Sequence, residues 1–411
     1  MMKRIGFLFF LMANGLVQAQ SPWPSESWNN AAALTSVMNA GGLLELSGLH
    51  WNSETNRLYV VHGDGRLRVL QYNPGSDSFS QIGNKTISGG PEGITQGANL
   101  GANEFYTIDE NNYEIRKYTH NTTFSTVTES KHWDLLQSPS PMEDTGNTGP
   151  EGIAFVPDAN LSAIGFVSPV TGLPYTSVKG AGGLFFIAHQ DEGYIWVFDL
   201  NPNVNNDFAF VGKIKSNRSE SCDLAFDRST GLLYILHNVG ANYLEVTDLS
   251  LAPVSETKFT TVNEYFMANP GDGNVNIEGF AVMPKCNTAV SGSAFLCRDV
   301  ESNESTSIAQ DAIRWFNPFA ADGTCVPLSN EQFDADSLLL VSPNPGNGNF
   351  ELSGNLPATF SIRLTDTAGK IIWDKPNNSQ RIFETAALQN GVYFISIIAD
   401  GKTTTTRWVK K

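Results

Sequence analysis

Three glutamates and three histidines stand at matched places in this chain of 411 residues. The phrase Gly-Pro-Glu-Gly-Ile occurs at 90–94 and again at 149–153. Weaker copies lie at Leu46-Ser47-Gly48-Leu49, Ser221-Cys222-Asp223-Leu224 and Ile277-Glu278-Gly279-Phe280. The acidic slot of this phrase therefore holds Ser47, Glu92, Glu151, Cys222 and Glu278. A second apolar run follows each copy and ends in an ionisable residue: His62, Asp109, His189, His237 and Arg298. Asp64, Glu110, Asp191, Glu192, Asp299 and Glu301 flank this second slot.

Carboxylates packed together raise one another's pKa unless a cation joins them. Glu92, Glu151 and Glu278, with Asp109 and Glu110, thus suggest oxygen ligands for a hard divalent cation, most simply Ca²⁺. His62, His189 and His237 are candidates for acid–base work on a bound ester, or for ligands of a transition metal. Against this stands an architectural reading, in which the second slot holds buried polar ties between strands and loops. Glycine after the acidic slot has a local reason of its own, since it lets neighbouring backbones approach closely. Neither a nucleophile elbow, a Gly-rich phosphate loop nor a zinc-protease helix is present.

To bring such slots together the chain needs repeated β-units. Each copy opens a short apolar run that reads as a strand, and the units run about 45–60 residues, a period that signals propeller blades. The repeats span Leu44 to Ile87, Gly90 to Leu136, Gly149 to Ile214, Ser221 to Thr261 and Asn276 to Phe316. Five blades are expected; a sixth would have to come from residues 255–275 or the N-terminal segment. Residues Ala31 to Met38 are expected to supply the outer strand of the last blade. In a blade the start of strand one and the end of strand two share a face, so both slots should crowd one mouth of a central channel.

Four segments are expected: a signal peptide at 1–19, a propeller at 20–317, a linker at 318–337 and a small Ig-like β-sandwich at 338–411. Lys3 and Arg4 precede an apolar run from Ile5 to Val17, and cleavage is expected before Gln20. No later apolar run reaches the ~18 residues of a membrane span. Residues 1–337 carry 18 Lys+Arg against 37 Asp+Glu, while the remainder carries 8 against 5. An acidic surface of that kind disfavours nucleic acid, whose phosphates need a basic face. A monomer is expected. Of four cysteines, Cys286 and Cys325 are read as a disulfide that pins the exit segment to the last blade. Cys222 and Cys297 are left open between buried thiols and a second bridge.

The C-terminal stretch has a recognisable set of motifs: Ser342-Pro343-Asn344-Pro345, Gly348, Asp366 with Gly369, and Gly391 with Tyr393. In this order they resemble the type A C-terminal sorting domain of the bacterial type IX secretion system. That resemblance implies handling by the type IX machinery, and release or attachment at the cell surface. Leu46-Ser-Gly-Leu-His-Trp, both Gly-Pro-Glu-Gly-Ile phrases and Cys222-Asp-Leu-Ala-Phe-Asp are similar to SdiA-regulated and phytase-like, esterase-like propellers. This second resemblance implies a Ca²⁺-binding or phosphoesterase site. The dense Asp clusters and Lys/Arg-rich pocket of a true phytase are absent, and Arg298 is the single Lys or Arg in the ring slots. The reading is an exported propeller with a cation or ligand site at its channel mouth, acting on a small ester or phosphoester. The alternative is a surface module that binds glycan or protein without catalysis.

Overall fold

The computed structural model describes residues 20–38, 44–238, 242–267, 276–286, 288, 290–300, 311–325, 340–353, 359–367, 369–399 and 402–411. The expected signal peptide, residues 326–337 of the expected linker, and Glu301 lie outside them. The chain forms two compact units, Met1–Val326 and Pro327–Lys411. Both are β-structures; the first contains one short α-helix, Asp158–Ile164.

Unit one is a succession of five sheets among the described residues. The first consists of Leu46–Asn52, Arg57–His62, Arg66–Asn73 and Ser78–Thr86, each antiparallel to the next. The second repeats this with Pro91–Thr95, Glu104–Asp109, Glu114–His120 and Val127–Asp134. In the third the strands are Pro150–Pro157, Gly183–His189, Tyr194–Leu200 and Phe208–Lys215. The fourth holds Asp223–Asp227, Leu232–Asn238, Asn242–Leu251 and Phe259–Met267. Phe259–Met267, in the stretch 255–275 where a sixth unit might have begun, thus completes the fourth sheet, and residues 268–275 lie outside the described residues.

Ile277–Val282, Ala294–Arg298 and Ile313–Phe316 make up the fifth sheet, whose outer strand comes from the N-terminal segment. Ala32–Ala33 pairs antiparallel with Ile313–Phe316, as expected for residues 31–38. Ser21–Pro22 adds a parallel edge to the fourth sheet. Joining the chain's start to its late strands removes an edge that would otherwise be free to pair.

Apolar side chains on both faces of the second strands explain the packing. Tyr59, Val61 and Phe105 fill the layer between sheets one and two, and Ile108, Ile153 and Phe185 that between two and three. Phe186, Val197 and Ile235 lie between three and four, and Tyr234, Leu236 and Phe280 between four and five. Leu49, Trp51 and Phe295 then join sheet five back to sheet one, so the succession of layers closes. At its centre the first strands of neighbouring sheets lie against each other. A Cβ on Gly93 would sit 2.7 Å from the Glu151 carbonyl oxygen and 2.8 Å from the Ile153 nitrogen. Only glycine permits that approach.

Residues 318–325, expected to start a linker, pack on unit one. Phe319 is buried against Trp23 and Phe280. The Cys286–Cys325 disulfide is present, and Cys222 and Cys297 are buried free thiols.

Unit two, among its described residues, has a three-stranded sheet (Leu340–Ser342, Asn349–Ser353, Ile382–Glu384) and a four-stranded one. The latter runs Ile371–Asn378, Phe360–Asp366, Gly391–Ala399 and Lys402–Lys410. Phe350, Ile362, Ile395 and Trp408 form its core. No helix among the described residues is long and apolar enough to cross a membrane.

Candidate functional site

The first slot sits on a β-bulge. Leu46 pairs with His62 and Gly48 with Val61, which leaves Ser47 without an opposite residue. Glu92 falls in the same shift between Pro91 and Gly93, and Glu278 between Ile277 and Gly279. In the third sheet the shift spans Glu151 and Gly152. A bulge bends the strand and re-aims the extra side chain, which is why such features gather beside sites. Here four bulges stand at the starts of four first strands that ring one centre.

The same acids recur among the charges that act on these carboxyls. Burial pushes the Glu92 carboxyl up to about 7, against a hydrogen bond from Ser47, and the charges of Glu110, Asp109 and Asp299 add to the rise. Glu278 is pushed up to about 8 by burial, then by Glu92, Asp299, Glu220 and Glu110. Glu151, buried at the same end, is raised well above the usual range by burial, Glu278, Glu92, Glu110 and Glu220. Glu110 also accepts a hydrogen bond from the Gly149 N–H at 3.2 Å. The sequence-predicted acids Glu92, Glu151, Glu278 and Glu110 therefore share one pole, with Asp109 at its edge. Glu220, next to the fourth phrase, joins them and was not anticipated.

The second slot is differently placed. His62 is buried and accepts a hydrogen bond at Nε2 from Arg68 Nε, 3.1 Å away; burial and that guanidinium lower its pKa to about 3. Asp109 pairs with Arg116 at 3.3 Å and accepts hydrogen bonds from Asn112 Nδ2 at 2.9 Å and the Gly90 N–H at 3.3 Å. His237, fully buried, lies 2.7 Å from the Glu220 carbonyl oxygen through Nδ1 and 3.1 Å from Glu245 Oε2 through Nε2. Arg298 Nε donates to the Asp311 carbonyl at 3.0 Å. His189 accepts at Nδ1 from the Asp191 N–H, 3.1 Å away, and burial lowers its pKa to about 4.

The partners of these groups were missed in the sequence, although a signal existed. Arg68, Arg116, Trp196, Glu245 and Arg314 stand opposite Val60, Thr107, Ile187, Ile235 and Leu296, each two residues before a slot. A polar or aromatic residue thus recurs at one register of strand three. Of the flanking acids, Asp64 is exposed and lies 3.9 Å from Arg66, and Glu192 lies 3.8 Å from Lys215.

Asp223 was also missed. It stands where the other phrases have glycine, and its buried carboxylate accepts the N–H groups of Leu224 and Phe280, both at 2.8 Å, and that of Leu49. One side chain thereby ties sheets four, five and one across the centre.

Could a cation fit? The donors at the pole are hard oxygens, three carboxyls and the Ser47 hydroxyl, which suit Ca²⁺ rather than a softer metal. Among the described residues no group of three His, Cys, Asp or Glu side chains is already arranged to hold a metal ion.

In unit two the motif residues are turn-makers. Asn344 donates to the Arg407 carbonyl at 2.7 Å and accepts from the Val409 N–H at 3.0 Å, beside Pro343 and Pro345. The Pro343 carbonyl accepts from Trp408 Nε1 at 2.9 Å. Asp366 closes a turn by accepting the Lys370 N–H, with Gly369 at φ 78°, a conformation that favours glycine. Gly348 accepts from the Thr385 N–H, Gly391 opens a strand opposite Lys410, and the Tyr393 hydroxyl donates to the Gln389 carbonyl.

Residues 340–411 match the family model described as a secretion system C-terminal sorting domain. No curated protein sequence matches the chain. Among solved structures, Raptor from Chaetomium thermophilum aligns at 10% identity and a TM-score of 0.34, over 90% of this chain and 28% of its own. This chain thus spans little more than a quarter of that protein. A chain of a nidogen/laminin complex aligns at 12% identity and 0.32, over 66% of this chain and 82% of its own. A putative 6-phosphogluconolactonase from Bacteroides uniformis gives 10% and 0.34, over 65% and 87%. Likenesses this remote carry no weight for fold or activity. The sorting motifs, by contrast, each have a structural place in unit two: residues 340–411 are a type IX C-terminal sorting domain, and the chain is exported to the cell surface or released beyond it.

Proposed function

We propose that unit one is a five-bladed β-propeller whose acidic pole binds a divalent cation, Ca²⁺ most simply, outside the cell. Five sheets with a closed circuit of apolar layers support the blade reading, in keeping with the SdiA-regulated and phytase-like resemblance. The observation that carries the cation reading is the placement of Glu92, Glu151 and Glu278 on matching strand-start bulges, where burial and neighbouring acids raise all three pKa values and favour protons on the carboxyls. A cation entering there replaces those protons, so its affinity rises with pH.

We favour binding over ester hydrolysis. His62 and His237 are engaged by Arg68, Glu220 and Glu245, and burial leaves His62 and His189 poor bases at neutral pH. The ties at the second slot support the architectural role for Asp109 and Arg298 as well. Thermal melting with and without EDTA tests the proposal. Chelation should lower the melting temperature of the protein and leave Glu151→Gln unaffected. Identical melting with and without chelator, in calcium-containing buffer at pH 8, would overturn it.

A further inference from the structure

At one level of unit one the first strands present four glycines and a single carboxylate. Gly48, Gly93, Gly152 and Gly279 each follow the acidic slot directly, and in the fourth sheet Asp223 takes that place. The level is tight. A Cβ on Gly48 would stand 2.7 Å from the Gly93 Cα, and one on Gly152 would stand 2.5 Å from the Asp223 Cα. One on Gly279 would lie 3.1 Å from the Ser47 carbonyl oxygen, so the level runs on from sheet five to sheet one. Glycines bring no side chain to this ring. Asp223 brings one, and it is fully buried.

The two oxygens of that side chain are divided between strands. Oδ1 accepts the Leu224 N–H and Oδ2 the Phe280 N–H, each at 2.8 Å, and the carboxylate also accepts the Leu49 N–H. The first strand of sheet four packs on that of sheet five, which packs in turn on that of sheet one, so the bond to Leu49 reaches past the neighbouring sheet. Phe280 stands two residues after Glu278, and Leu49 two after Ser47. Both strands start on a bulge, where the extra residue interrupts the ladder to the second strand. Asp223 therefore holds these two strand starts from the centre, next to the point where their own ladders are broken.

Close approach alone needs only glycine, as the other four phrases show. An aspartate in that place does something more, because it fixes two slot-bearing strands against each other. Groups of this kind orient the ligands of an ion without touching it. We infer that Asp223 is the positioning residue of the acidic pole, setting the spacing at which Glu278 and the Ser47 hydroxyl face a divalent cation. The inference rests on the cation reading above and goes beyond it, naming a residue whose own oxygens are already engaged.

Titration of the EDTA-stripped parent, Asp223→Gly and Asp223→Asn with Ca²⁺ at pH 8 tests it. Asp223→Gly copies the other four phrases and loses every bond of the carboxylate. Its affinity should fall ~10–100-fold, the usual cost of losing a group behind a metal ligand. Asp223→Asn keeps the shape and one acceptor oxygen, so its loss should be smaller. Eu³⁺, a luminescent stand-in for Ca²⁺, separates positioning from stability, since its lifetimes in H₂O and D₂O count the waters bound to it. About one more water should appear in Asp223→Gly, where a carboxylate gives way to solvent. Should Asp223→Gly fail to fold, Asp223→Asn decides by the same two readouts. Equal Ca²⁺ affinity and equal Eu³⁺ hydration in parent and variants, whatever happens to melting, would overturn the inference and leave the cation reading standing. A parent that binds neither ion would overturn the cation reading, and this inference with it.

Discussion

The start of strand one and the end of strand two are two positions of the same repeat, yet they are built on opposite principles. At the strand-two position almost every polar atom has a partner: His62 with Arg68, Asp109 with Arg116 and Asn112, His237 with Glu245 and the Glu220 carbonyl. At the strand-one position Glu92, Glu151 and Glu278 sit on bulges, and the charges acting on them are those of other acids. Satisfied polar groups in a core specify architecture. Acids kept together without a base are costly to the fold, and that cost marks where a function is to be sought.

Substitutions should separate the two positions by sign. The largest effect belongs to Glu245, fully buried, whose carboxylate accepts from the Asn217 N–H at 2.7 Å and the Thr261 hydroxyl at 2.9 Å besides meeting His237. Glu245→Ala should cost about 3–5 kcal/mol in urea unfolding, because it leaves buried partners unpaired. A loss below ~1 kcal/mol, the scale of a surface ion pair, would break the architectural half of the comparison.

Gly93→Ala should come next, at about 1–3 kcal/mol, because the added methyl meets backbone of the neighbouring sheet rather than a side chain that can move. Wild-type stability in this variant would mean that the first strands are not in such close contact.

Glu278→Gln should act in the reverse direction. Its carboxyl has a folded pKa of about 8 against an ordinary 4.5. Between those values the folded state holds a proton that the unfolded state has lost, so the stability it contributes is present below pH 4.5 and disappears as pH rises through 8. The variant should therefore melt above the parent at pH 8 in EDTA, with the advantage gone near pH 4. Equal melting at both pH values would remove the repulsion from the account.

Much of this was legible in the chain. The register of His62, Asp109, His189, His237 and Arg298 could be read directly, because strands alternate and the slots follow matching apolar runs. The sorting motifs were legible because they are local, whereas the disulfide was one choice among three connectivities, reached from the expected place of the exit segment beside the last blade. The bulges were not, since an extra residue in one strand shows only when its partner is known. Arg68 and Glu245 escaped for the same cause: each looks like an ordinary charge on a strand until the cross-strand diagonal puts it beside a histidine. Asp223 differs again. Its place in a glycine slot was visible, but that its carboxylate would bind the N–H groups of three sheets depends on how the circuit closes.

Calorimetric titration of the EDTA-stripped protein with Ca²⁺ at pH 8, alongside Glu151→Gln, tests the central claim most directly. The account predicts one ion bound per chain, protons released on binding, and no saturable heat from the variant. No binding by the parent, or binding of equal affinity by Glu151→Gln, would contradict it.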